Sequence, residues 1–302
     1  MTLPALIDYA TPLHTPTNRV NWTLEAGRAA VLVHDLQRYF VRAFAPGCPA
    51  LERALSAAAE ILDAARAAGV PVFYTAQTGD QPADERGLQG ELWGRGMTSE
   101  PTDTAIVDAV APHAGDVVIA KHRYSAFAKT DLGDRLAALG RDQLVVVGVY
   151  AHIGVAATAS DAFQREVYPF VVADGVADFG AAEHERALAQ VASCSGVVVR
   201  ASDVVDAFAP AAEVVDAPTS SEGGAWDAEL RAALDGLLSD DALDAAFAAP
   251  ESDIFALGLD SVRAFELLDR LLDAGADIDF GEFTRRPTVS YLREQGALLA
   301  AS

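Results

Sequence analysis

The chain has 302 residues, 51% of them apolar, and a formal net charge of −22 from 44 acidic and 22 basic side chains. That length and apolar share suffice for one large domain or two, each with a buried core. The charge excludes nucleic acid and anionic membranes as partners, because phosphate binding needs a basic stripe.

Residues 1–27 read as an irregular lead-in, with Pro4, Pro12 and Pro16 breaking any long element. The polar stretch Met1–Asn18 lacks the basic-then-apolar order of a secretory signal, and no apolar run approaches the ~20 residues of a membrane span. From residue 29 a regular alternation begins. Ala29–His34 is an apolar strand ending at Asp35. Leu51–Ala68 sets Leu51, Leu55, Ala58 and Leu62 on one helical face and stops at Gly69, a natural C-cap. Strands are predicted next at Val70–Thr75 and at Val117–Ala120, the latter ending at Lys121. Asp131–Leu139 is a helix closed by Gly140, and Gln143–Val147 a strand ending at Gly148. Helix Val155–Arg165, strand Phe170–Ala173, helix Glu183–Val191, strand Val197–Arg200 and helix Ala201–Ala209 complete the series.

Short, continuously apolar strands alternating with helices imply an α/β fold, a doubly wound parallel six-stranded sheet covered on both faces. This unit is expected to span residues 1–209. Residues 210–225, rich in Ala, Pro, Thr, Ser, Glu and Gly, read as a flexible linker. Residues 226–302 carry helical patterns at Asp227–Leu238, Ser261–Ala274 and Val289–Leu299, a small helical bundle. That segment holds 16 acidic and 6 basic side chains, a solvated acidic surface that basic patches on partner enzymes can read. The two cysteines, Cys48 and Cys194, have neither metal nor disulfide spacing. No metal site is expected, and a soluble, cytoplasmic protein with reduced thiols is.

Ligands of open α/β sheets bind beyond the carboxyl ends of the strands. Three strands deliver chemistry there: Asp35, Lys121 and the Gly148-to-Gly154 turn. A carboxylate, an ammonium and a glycine-bounded turn at one sheet edge form a candidate site, although each alone is an ordinary surface feature. His34 and His152 are tempting bases, but packed or supporting roles are the commoner fate of such histidines.

The residues around these positions are more specific. Val33-His34-Asp35-Leu36-Gln37-Arg38-Tyr39-Phe40, Tyr74-Thr75-Ala76-Gln77, Lys121-His122-Arg123-Tyr124-Ser125-Ala126-Phe127 and Gly148-Val149-Tyr150-Ala151-His152-Ile153-Gly154 together resemble the isochorismatases of the isochorismatase-like hydrolase superfamily. The resemblance covers roughly residues 10–208. It implies Asp35, Lys121 and Gly154 as catalytic positions, and Gln77, Arg86, Trp93, Tyr150, Tyr39 and Phe40 as substrate contacts. Arg86 suits bidentate binding of a carboxylate. The resemblance also implies a cis peptide at Val149–Tyr150. His122 departs from it, standing where tryptophan is usual. The superfamily's amidases use an Asp–Lys–Cys triad. Here Gly154 stands in the cysteine's place and no Asp-x-His metal motif follows Asp35, so amidase chemistry is excluded.

At the other end, Asp253-Ile254-Phe255, Leu257-Gly258-Leu259-Asp260-Ser261 and Arg286-Pro287-Thr288-Val289 resemble an acyl or aryl carrier domain over about the last quarter of the chain. A serine before a helix is ordinarily a cap. The resemblance instead implies that Ser261 receives a covalent 4'-phosphopantetheine arm, that Asp260 helps the transferase recognise the turn, and that Phe265 is either core or an exposed partner contact. Together the two resemblances imply a bifunctional isochorismatase–aryl carrier of siderophore-type pathways. Such a protein hydrolyses the vinyl ether of isochorismate, with Asp35 as general acid. It also carries an aryl thioester for nonribosomal peptide synthesis. Its expected partners are a phosphopantetheinyl transferase, an aryl-AMP ligase, a condensation domain of a nonribosomal peptide synthetase and further copies of itself. Hydrolysis of 2-amino-2-deoxyisochorismate is the neighbouring alternative. A carrier with an inactive scaffold is the other, which intact Asp35 and Lys121 oppose.

Overall fold

The structure, a computed structural model, describes residues 3–12, 14–209, 223–276 and 278–300. The chain divides into two compact units, Met1–Glu213 and Val214–Ser302.

In the first unit six strands form one sheet: β1 (Ala29–His34), β2 (Val72–Ala76), β3 (Val117–Ala120), β4 (Gln143–Val149), β5 (Tyr168–Ala177) and β6 (Val197–Val199). All pairings are parallel and the spatial order is β3-β2-β1-β4-β5-β6. The doubly wound sheet expected from the alternation is present. Helices of the unit are α1 (Arg38–Val41), α2 (Pro49–Ala67), α3 (Ala83–Arg86), α4 (Leu88–Trp93) and α5 (Pro101–Thr104). They are followed by α6 (Leu132–Ala138), α7 (Ala156–Gln164), α8 (Ala181–Cys194) and α9 (Ala201–Phe208).

Burial on both faces explains why the strands lack alternation. Along β1, Ala29, Val31 and Val33 enter the core beneath α2 and α9, while Ala30 and Leu32 enter the core shared with α6, α7 and α8. In α2, Pro49 at the first position suits the helix start, and Gly69 beyond its end takes φ +67°, a left-handed value glycine adopts without strain. Its buried stripe includes Ala54, Ala58, Ile61 and Leu62. Full burial of Ile61 or Leu62 contributes about 2 kcal/mol each.

Several expected boundaries move. The second strand is Val72–Ala76 rather than Val70–Thr75, because Val70 and Pro71 still belong to the turn after α2. Strand β5 runs to Ala177, well past Ala173, with an irregularity in its pairing to β4 between Val146 and Gly148. The helix expected over Val155–Arg165 begins earlier, as a π-helical turn at Ala151–Val155, before α7 takes over.

The second unit packs helices α10 (Gly223–Leu234), α11 (Asp240–Ala248), α12 (Ser261–Asp273), α13 (Phe280–Arg285) and α14 (Val289–Ala300). Its core includes Leu230, Leu234, Ile254, Leu267, Leu271, Phe283, Val289 and Leu292. The expected helix over Asp227–Leu238 ends instead at Leu234, with Gly236 at φ +73° in the turn beyond it. The linker expected over 210–225 lies outside the described residues up to position 222; positions 223–225 open α10.

Candidate active site

The strand order reverses direction between β1 and β4, so a crevice opens at their carboxyl ends. Asp35 leaves β1 into this crevice with φ +51°, a left-handed conformation that aspartate tolerates better than most residues. The backbone is held there by Asp35 N–H donating to Thr75 Oγ1 (3.2 Å) and Gln37 N–H donating to Asp35 O (2.7 Å). A cavity lies above it. Asp35, Tyr39, Phe40, Gln77, Arg86, Trp93, Lys121, Tyr150 and Gly154 all line this cavity, so the catalytic and substrate-contact positions implied by the resemblance meet in one place, and His34 lines it with them. Leu3, Gln89, Gly96, Met97, Tyr124 and Ile153 also line it, and none of these was singled out from the sequence.

The Asp35 carboxylate is 3% exposed and fully engaged. Lys121 Nζ approaches Oδ2 at 2.7 Å, Thr75 Oγ1 donates to Oδ1 at 2.6 Å, and Gln77 Nε2 donates to Oδ2 at 3.3 Å. Burial alone would raise the Asp35 pKa, but Lys121, His34 and the Thr75 hydroxyl outweigh it, and the net effect holds the carboxyl below its usual range. Lys121, 1% exposed, also donates to Arg123 O at 2.8 Å. Gln37 is the staple beneath. Its amide donates to Gln77 O (2.8 Å) and Thr104 O (2.9 Å) and accepts from Gln77 N (2.8 Å), tying the β2 exit to the α5 loop.

Tyr150 forms the aromatic wall, packed against Phe40, Phe44 and Phe179. Burial raises its pKa, so it remains a phenol, and its hydroxyl donates to Phe40 O at 2.7 Å. It therefore offers the cavity a ring face. The Val149–Tyr150 peptide is cis.

A glycine-punctuated segment carrying α3 and α4 adds Arg86, Gln89 and Trp93 to the lining. Arg86 Nε donates to Gly94 O at 2.6 Å, and Trp93 Nε1 donates to Tyr124 OH at 2.6 Å. A Cβ at Gly96, which sits at φ +83°, would fall 2.6 Å from the Arg86 guanidinium carbon. Among the described residues Arg86 has no carboxylate partner, so it is the uncompensated cation of the cavity. His122 does not line the cavity; its carbonyl accepts from Arg123 Nη1 at 2.6 Å.

Neither histidine beside the site is free to act as a base. His34 is fully buried, with Nδ1 2.9 Å from Val149 O, and burial lowers its pKa. His152 Nδ1 meets Asp178 Oδ1 at 2.5 Å, and its backbone N–H donates to Asp178 Oδ2 at 2.6 Å. The described residues hold no cluster of three or more His, Cys, Asp or Glu side chains suited to a metal, and neither cysteine lines the cavity.

Residues 29–203 match the isochorismatase domain and residues 228–293 the phosphopantetheine attachment site. Enterobactin synthase component B of Escherichia coli K12 is 39% identical over 293 residues, 96% of each chain. The chain belongs to the isochorismatase family. Its first unit is an isochorismatase domain and its second a phosphopantetheine-binding domain. Phenazine biosynthesis protein PhzD of Pseudomonas fluorescens is 44% identical over 206 residues, covering 67% of this chain and 98% of its own. A cysteine hydrolase structure from Pseudomonas syringae superposes with a TM-score of 0.57 at 25% identity, over 65% of this chain and 98% of that one. In this isochorismatase the turn after β4 offers Gly154, so the shared fold here carries no thiol at that turn.

In the phosphopantetheine-binding domain Ser261 is the first residue of α12 and exposed. The cap of α12 is Asp260, whose Oδ1 accepts from Val262 N (3.0 Å) and Arg263 N (2.9 Å). Ser261 Oγ is thus released from capping and has no hydrogen-bond partner among the described residues. The Arg286–Val289 motif closes the bundle: Ile254 N donates to Pro287 O (2.8 Å), Thr288 Oγ1 accepts from Tyr291 N (3.1 Å) and Val289 is buried. Phe265 is 56% exposed and stacks on Phe280 at 4.0 Å, so it belongs to the surface.

Proposed function

We propose that the first unit hydrolyses the enolpyruvyl ether of isochorismate to pyruvate and 2,3-dihydro-2,3-dihydroxybenzoate, and that the second carries an activated aryl acid for siderophore-type nonribosomal peptide synthesis. The observation that carries the hydrolytic half is the buried Asp35 carboxyl, bracketed by Lys121, Thr75 and Gln77 beneath a cavity whose one uncompensated charge is Arg86. Arg86 takes a substrate carboxylate. The second substrate carboxylate engages Lys121, which lifts its hold on Asp35 as water is excluded, so that Asp35 is protonated in the complex. Asp35 gives its proton to the methylene carbon, leaving an oxocarbenium ion. Water adds to that ion, returning a proton to the Asp35 carboxylate. The resulting hemiketal breaks its bond to the ring oxygen, which takes up the hydroxyl proton, and pyruvate departs. Tyr39, Phe40, Tyr150 and Trp93 wall the apolar ring, and Gly154 leaves the cavity floor without a nucleophile.

Ser261 holds the 4'-phosphopantetheine arm, whose thiol supplies thioester carriage when bound. Its exposed, uncapped hydroxyl fits that role. Residues 1–209 and 226–302 serve as the two domains, joined through 210–225. The partners are a phosphopantetheinyl transferase, an aryl-AMP ligase and a condensation domain, reached in the cytoplasm. Self-association through the first unit is also proposed.

The amino analogue, 2-amino-2-deoxyisochorismate, is the second reading, kept by the 44% identity to a phenazine biosynthesis protein. The cavity favours isochorismate, because among its lining residues only Asp35 is acidic and an ammonium would lack a second counter-charge. The test is pyruvate release from both substrates in H₂¹⁸O. The expected result is a preference for isochorismate, with no ¹⁸O in the ring diol. A preference for the amino compound selects the second reading, and ¹⁸O on the ring overturns the vinyl-ether mechanism. Ser261→Ala is expected to abolish arm attachment, read by intact mass, while leaving pyruvate release unchanged.

A further inference from the structure

His34 is a buried polar side chain beside Asp35 to which the reaction above assigns nothing. It closes β1, and both glycines of the Gly148-to-Gly154 turn are built around it. Gly148 is its register partner in β4 and sits at φ +118°, and a Cβ there would overlap the His34 carbonyl oxygen. At Gly154 a Cβ would overlap the ring, lying 2.8 Å from Nε2 and 3.1 Å from Nδ1, with Cε1 nearer still. The imidazole therefore fills the volume that any side chain at position 154 would occupy.

His34 lines the cavity, but both ring nitrogens face backbone carbonyls rather than open space. Nδ1 faces Val149 O at 2.9 Å, Nε2 faces Tyr124 O at 3.3 Å, and Nδ1 stands 3.9 Å from Asp35 Oδ2. A neutral ring has one proton, and the shorter contact assigns it to Nδ1, donating to the Val149 carbonyl. That bond ties the end of β1, which carries Asp35, to the turn that carries Tyr150.

We infer that His34 is a positioning residue for the hydrolytic step and that it forms a matched large–small pair with Gly154. The inference rests on the Asp35 reading above. Deleting the ring leaves a void beside Asp35, and a methyl at 154 overlaps the ring and displaces it from its contact with Val149. Either change misplaces the acid against the methylene carbon, and displacements of ~1 Å at a reacting pair cost about a hundredfold. Arg86 and Gln77, on other elements, keep their hold on the substrate, so KM changes little.

The experiment measures kcat and KM for pyruvate release from isochorismate, with thermal unfolding, for the full chain bearing His34→Ala, Gly154→Ala or both. Each single change is expected to lower kcat by roughly 10–100-fold with KM within about threefold. The double variant is expected to exceed the product of the two single effects by about tenfold or more, because the methyl refills part of the ring's volume. If His34→Ala does not fold, His34→Asn, smaller yet able to donate to Val149, takes its place in the same cycle. A wild-type kcat in Gly154→Ala, or single effects that simply multiply in the double variant, overturns the pairing. Asp35→Asn run alongside separates the failures: retained pyruvate release there overturns the Asp35 reading itself, whereas its loss beside an unaffected Gly154→Ala overturns the pairing alone.

Discussion

Thr75 Oγ1 serves Asp35 twice, donating to its carboxylate at 2.6 Å and accepting from its backbone N–H at 3.2 Å. Thr75→Val keeps the shape and removes both bonds. Leaving that N–H buried without a partner costs about 1–2 kcal/mol, to be seen as a lower thermal midpoint. The carboxylate also loses a donor that favours its ionised form, so the Asp35 pKa rises. Because the acid must be protonated, the fall of kcat/KM with increasing pH is expected to move to higher pH in Thr75→Val. A profile that stays in place or moves down would contradict the role of Asp35 as acid. Asp35 and Lys121 were legible because each ends an apolar strand with a charge. Thr75 was less so, since a threonine near the end of a strand is ordinary. The turn glycines were visible, but the reason for them was not, because His34 meets Gly148 and Gly154 only after β1 and β4 pair.

The α3–α4 segment shows where periodicity fails. Helices of four and six residues complete too few turns to display an apolar stripe, so the stretch carrying Arg86 and Trp93 has no pattern of its own. Its geometry comes instead from glycines and the Arg86–Gly94 bond. Gly96→Ala is the direct probe, since a Cβ there would press on the guanidinium 2.6 Å away. Arg86 is the flexible partner in that contact, so its guanidinium shifts rather than the backbone. We expect KM for isochorismate to rise about tenfold or more with a smaller change in kcat, and only about 1–2 kcal/mol lost from the left-handed backbone. An unchanged KM would remove Arg86 from substrate binding. In the phosphopantetheine-binding domain the helix start was legible but its cap was not: a serine and an aspartate side by side both cap well, and only the fold assigns the work to Asp260. The π-helical turn at Ala151–Val155 was invisible for a similar reason, five residues being too few to distinguish it from the α-helix that follows.

Acid is expected to destabilise the isochorismatase unit in two stages. His34 and His184 have their pKa values lowered, chiefly by burial. Below about pH 6.5 the unfolded chain takes up protons that the folded one refuses, so stability falls as the pH drops through that region. The depressed Asp35 carboxyl adds stability that is present above the ordinary aspartate range and lost as pH falls through its lowered value. Thermal midpoints are therefore expected to decline from about pH 7 downwards, with a shallower slope between about pH 5 and 7 in His184→Gln. A slope identical to wild type would mean that His184 does not carry the linkage. Composition shifts where the αβ alternation stops, and the stretch 210–222 lies outside the described residues. The most direct measurement is pyruvate release from isochorismate by the full chain with Asp35→Asn, which keeps the size of the side chain and removes the acid. We expect kcat to fall by about a thousandfold or more while the fold, read by thermal unfolding, persists. A folded Asp35→Asn protein within about tenfold of wild type would show that the proton comes from elsewhere.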